Sequence, residues 1–103
     1  MDEIARAVSN LKNALMNSDV YKDYLLAKKQ LSANEYDMLA DYKHKKRDWN
    51  GGFEHEKFIS NMYANLMLIE NTRKFLAAET ELIRRIRNIY EEIGKNLDID
   101  VFA

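Results

Sequence analysis

The densest group of residues able to do chemistry is Lys43-His44-Lys45-Lys46-Arg47, set between Tyr42 and Trp49. Four cations beside two aromatics could hold phosphates and stack a base, the chemistry of a single-stranded nucleic-acid contact. Lys43, Lys45, Lys46 and Arg47 are the candidate contacts. The competing reading is structural. Basic residues are favoured in the last turn of a helix, and this run precedes Gly51-Gly52, a helix stop. Five consecutive residues also spread around a helix instead of forming one face. A dedicated polyanion binder carries a basic excess, whereas this chain has a formal net charge of −1. The structural reading is therefore favoured, and direct nucleic-acid contact is the alternative.

Other constellations are thinner. Asp41 and His44 stand three apart, and Glu54-His55-Glu56 follows the glycines. Carboxylate-x-x-His pairs ligate metals in helical bundles, but they come in pairs with further inward-facing glutamates. Only one such pair is present here, and three consecutive residues point in different directions on a helix. Two exposed histidines are the expectation, with no metal and no cofactor. No Ser/His/Asp grouping, glycine-rich phosphate loop or HExxH occurs, so the chain is read as non-enzymatic. Zero cysteines exclude disulfides, thiolate nucleophiles and cysteine-held clusters within the chain.

The elements that position these residues are helices. With 103 residues, no proline and three glycines, nothing punctuates a β-meander. The length suits a single helical domain over residues 1–103. Charge is even along the chain: residues 1–50 carry nine Lys/Arg against eight Asp/Glu, and residues 51–103 seven against nine. No apolar run approaches the ~20 residues that span a bilayer. The opening MDEIARAVSNL is acidic and amphipathic, unlike a secretory signal, so a cytoplasmic location is expected.

Five helices are predicted. The first covers about Asp2 to Met16, with Ile4, Val8, Leu11 and Leu15 on one face. The second covers Asp19 to Leu31, capped by Ser18. Ser32 and Glu35 have capping-box spacing ahead of a third helix to Asn50, with Asn34 a competing cap. The fourth covers Glu54 to Glu70 and is apolar almost all round, which suits a central helix or an interface. Asn71 caps or kinks the chain before the last helix, to Leu97; whether these two are one bent rod or separate is left open by the pattern. In the last helix Leu82, Ile86, Ile89 and Ile93 form the centre of a stripe that Leu76, Ile83, Tyr90 and Leu97 widen along one flank. A stripe that wide faces more than one neighbour. The tail Asp98–Ala103 alternates apolar and acidic, and Ile99, Val101 and Phe102 are expected to tuck against the bundle or a partner.

The fold class is thus all-α, an antiparallel bundle of about five helices with a long C-terminal one. Tyrosine, methionine and the broad stripes mark where a partner would dock. Tyr63, Leu66, Met67, Phe75, Glu79, Leu82 and Ile86 are the candidate interface residues. Glu79, between Phe75 and Leu82 near the seam, either specifies register or partner choice or sits at the rim.

Two segments resemble the YlbF/YmcA family of small helical regulators of Gram-positive bacteria. Ser18, Tyr21, Tyr24 and Ala27 match its S-x-x-Y-x-x-Y-x-x-A opening. Asn71, Phe75, Leu76, Ala78, Glu79 and Leu82 match its N-P-x-V-x-x-F-L-x-A-E-x-x-L segment. Thr72 stands where the family has proline, and Gly51-Gly52 interrupts the family's long middle helix. The resemblance implies an all-α, antiparallel, self-associating bundle. It implies a homo-oligomer that acts with paralogues as an accessory to endoribonuclease Y, affecting mRNA processing and thereby competence, sporulation and biofilm formation. Iron–sulfur clusters are associated with that complex through cysteines, which this chain lacks. Packing explains the apolar matches but does not demand Glu79, so a paired role for Glu79, with Arg or Tyr at a helix–helix or subunit contact, is expected.

Overall fold

A computed structural model describes residues 2–49 and 51–97. The expectations for Asn50 and for the tail 98–103 lie outside the described residues. Five helices follow in order: α1 (Glu3–Met16), α2 (Asp19–Lys29), α3 (Ala33–Arg47), α4 (Phe53–Leu68) and α5 (Glu70–Asn96). There is no strand among the described residues.

The helix ends follow local chemistry. Asp2 is the N-cap of α1, its carboxylate accepting from the Ala5 amide at 2.7 Å, so the helix begins one residue later than the apolar periodicity suggests. Ser18 hydroxyl accepts from the Tyr21 amide at 3.3 Å and donates to the Leu15 carbonyl at 2.6 Å, closing α1 and opening α2 with one side chain. Ser32, not Asn34, caps α3 in a complete capping box. The Glu35 amide donates to the Ser32 hydroxyl at 3.1 Å, and the Ser32 amide donates to the Glu35 carboxylate at 2.8 Å. Past α3, Gly51 adopts φ +89, a conformation open to glycine at little steric cost.

Helices α4 and α5 are separate. Ile69 is extended (φ −97, ψ 124), so the Leu66 carbonyl loses its partner four residues on. The Ile69 amide donates to it at 3.3 Å, and the Thr72 hydroxyl reaches it too. That hydroxyl also lies 3.1 Å from the Ile69 carbonyl, which takes the first backbone bond of α5 from the Arg73 amide at 2.9 Å. Thr72 is fully buried, and these carbonyl partners satisfy its hydroxyl there.

The chain forms two compact units, Leu26–Leu76 and Met1–Leu25 with Ala77–Ala103. In the first, α3 and α4 pack side by side. Its core is Leu39, Tyr42, Leu66, Phe75 and Leu76 around Thr72, and the Tyr42 and Tyr63 rings meet at 5.9 Å between centroids. In the second, Gly94 alone is buried among the described residues. Leu15, Ser18 and Val20 there line a groove of about 430 Å³ with Leu82, Arg85, Asn88, Ile89 and Glu92 of α5. The remaining apolar faces are open: Ile4 is 78% exposed, Leu97 63%, and Val8, Ile83, Tyr90 and Ile93 are exposed as well.

Candidate protein-interaction surface

The residues singled out from the sequence divide between the two units. In Leu26–Leu76, Leu66 (2% exposed) and Phe75 (5%) belong to the core, Met67 is half-buried and Tyr63 is exposed. Leu66 also floors a crevice of about 200 Å³ with Met38, Asp41, Met62 and Asn65. In the other unit Glu79, Leu82 and Ile86 are all half-buried. Leu82 faces the groove toward Leu15 and Val20. The stripe centred on 82, 86, 89 and 93 therefore splits: 82 and 89 have neighbours from α1 and α2, while Ile93 is exposed.

The basic run is woven into its own unit. The Lys43 ammonium lies 5.4 Å from the Phe75 ring centroid, Lys45 lies 5.7 Å from Phe58 and Lys46 lies 5.8 Å from Tyr42. Lys45 also approaches the Asp41 carboxylate at 3.9 Å, and His44 lies 3.1 Å from Asp48. Asp41 and His44 thus take separate partners. His55 is half-buried, unlike the exposed position expected for both histidines, because it lies on α4 inside the packed unit. Trp49 is exposed and donates from its indole N–H to the Gly52 carbonyl at 3.3 Å.

Three carboxylates are held below their ordinary value. Glu35 is lowered chiefly by the Ser32 amide, with help from the Asn71 side chain at 3.3 Å. Glu70 is lowered by Lys74, whose ammonium is 2.9 Å away. Glu81 is lowered by hydrogen bonds from Arg84 and then Arg85, and Arg84 is raised in return. The Glu35–Asn71 link was not apparent from the sequence, where each residue explained only its own helix start. Their separation of 36 residues leaves no periodic trace.

Among the described residues no group of three or more His, Asp or Glu could hold a metal ion. No described helix is long and apolar enough to cross a membrane. The arrangement offers apolar helix faces bordered by charge, which is the equipment of protein–protein contact. A family model described as control of competence regulator ComK, YlbF/YmcA, matches residues 4–98. The chain belongs to the YlbF/YmcA family. The match runs through all five helices, and this is a regulatory family. No curated protein and no solved structure matches. The chain has no cysteine, so it offers no thiolate to an iron–sulfur cluster.

Proposed function

We propose that this YlbF/YmcA member is a non-enzymatic cytoplasmic regulator that acts by self-association and by protein–protein contact. In this reading it joins paralogous family members as an accessory to endoribonuclease Y in mRNA processing, and so influences competence, sporulation and biofilm formation. Family membership over residues 4–98 carries the reading. The exposed apolar faces of α1 and α5 support it, since a unit with no buried apolar side chain among its described residues gains stability from a partner. The candidate contact residues are Tyr63 and Met67 in one unit, over the buried Leu66 and Phe75, and separately Glu79, Leu82 and Ile86 in the other.

The alternative is a nucleic-acid contact through Lys43, Lys45, Lys46 and Arg47. The three lysines lying against aromatic rings weigh against it, because moving them onto phosphates gives up those contacts. A nuclease-treated pull-down of the tagged protein from its host, read by mass spectrometry, separates the readings. Recovery of paralogues or the endoribonuclease supports the adaptor role, and recovery of the protein alone overturns it.

A further inference from the structure

The groove between the α1–α2 corner and α5 has two unlike sides. Leu15 and Val20 line it with Leu82 and Ile89, and all four are half-buried. Along the other edge α5 sets out Arg85, Asn88 and Glu92, which are exposed. Helical geometry puts these three on one side of α5 and Leu82 with Ile89 on the adjoining side. The polar row therefore runs cation, amide, anion. Arg85 and Glu92 are seven residues apart, or about 10.5 Å along the axis. Both ends of the row are open to a ligand. Glu81 takes only the Nε of Arg85, at 3.3 Å, which leaves the two terminal nitrogens that grip a carboxylate. Glu92 enters no ion pair among the described residues.

A volume of about 430 Å³ suits a small molecule. The charges choose which one. A fatty acid on Arg85 would run its hydrocarbon past Glu92, and an apolar amine on Glu92 would leave Arg85 unused. A short peptide with free ends meets both charges. An extended chain advances about 3.3–3.6 Å per residue, so three residues hold the ammonium about 10 Å from the carboxylate. Alternate side chains of such a chain point the same way, so its first and third residues meet the apolar side of the groove. Asn88, between the two charges, offers a donor and an acceptor to the peptide backbone. We propose that this groove binds an apolar tripeptide with both termini free, its carboxylate on Arg85 and its ammonium on Glu92. The site lies wholly within one compact unit and does not depend on self-association.

Isothermal titration calorimetry of the full chain with leucyl-alanyl-leucine tests it. A dissociation constant of about 10–100 micromolar is expected for a ligand of this size. N-acetylation and C-terminal amidation of the peptide each remove one charge, and each is expected to weaken binding about tenfold. Arg85→Gln should weaken the free peptide by the same factor and become indifferent to amidation while still responding to acetylation. Glu92→Gln should show the reverse. Both residues are exposed, so each variant is expected to fold, which circular dichroism checks. The methyl resonances of Leu15, Val20, Leu82 and Ile89 are expected to shift during the titration. Capped peptides that bind as well as the free one, or variants that respond to both caps alike, overturn the proposal. So does an absence of binding at millimolar peptide, which is the result that occupation by residues 98–103 or by a second copy would give.

Discussion

The Asn71 side-chain amide, at the start of α5, donates to the Glu35 carboxylate at the start of α3, 3.3 Å away. The same oxygen accepts the Ser32 amide at 2.8 Å. One carboxylate therefore fixes two helix starts, and Asn71, half-buried, ties the break after α4 to the capping box of α3. Ser32→Ala removes the hydroxyl that accepts the Glu35 amide, and it is expected to cost about 1 kcal/mol in urea unfolding. An unchanged midpoint would mean that water replaces the cap without loss.

Stability should fall in acid. Glu35, Glu70 and Glu81 sit below their ordinary value of 4.5 in the folded chain. The unfolded chain therefore takes up protons first, so the stabilisation they provide is complete above the ordinary value and is lost as pH falls through the lower folded ones. Thermal melting should drop as pH falls below about 4.5, and the loss should shrink in Glu35→Gln. These groups are exposed, so added salt should reduce the Glu70 and Glu81 contributions. An acid-insensitive melt contradicts this assignment.

Thr72→Val keeps the shape and removes the hydroxyl that serves the Leu66 and Ile69 carbonyls. The site is fully buried and each carbonyl keeps a backbone donor, so losing the hydroxyl's hydrogen bond is expected to cost about 0.5–1.5 kcal/mol, read by chemical denaturation. Near-wild-type stability would show that the α4–α5 break does not depend on it.

Gly51→Ala should destabilise by about 1 kcal/mol, because φ +89 strains any residue with a Cβ even though open space surrounds it. A clash is not involved, so Asn, which tolerates that conformation better, should lie between the two in a melting series.

Ile86→Asp separates the two uses of α5. A fully buried site would lose roughly 3 kcal/mol or more of folding stability from lost burial and an unpaired charge. Ile86 is half-buried in the single chain and is a candidate contact of the self-association proposed above, so association should suffer more than helix content. Circular dichroism and sedimentation on the same sample check this. A chain that unfolds outright would place Ile86 in a core instead.

The helices were legible because their evidence is local. Periodicity and the caps Ser18 and Ser32 put the starts of α2 and α3 within two residues, and the break near Asn71 was visible without its cause. That cause, an extended Ile69 backed by Thr72, depends on a hydroxyl reaching six residues back and is invisible to a pattern of apolar spacings. In sequence the stripe of α5 forms one broad face, because Leu82, Ile83, Ile86 and Ile89 are equally apolar. Only packing shows that Leu82 and Ile89 line a groove while Ile83 is exposed. The basic run illustrates the same limit, since the rings beneath Lys43 and Lys45 come from α5 and α4.

The most direct measurement is the solution mass of the untagged wild-type chain by light scattering on a sizing column at micromolar concentration. Self-association predicts at least twice the 12.2 kDa of one chain. A mass of 12.2 kDa across the concentration range, with α-helical structure intact, would contradict it.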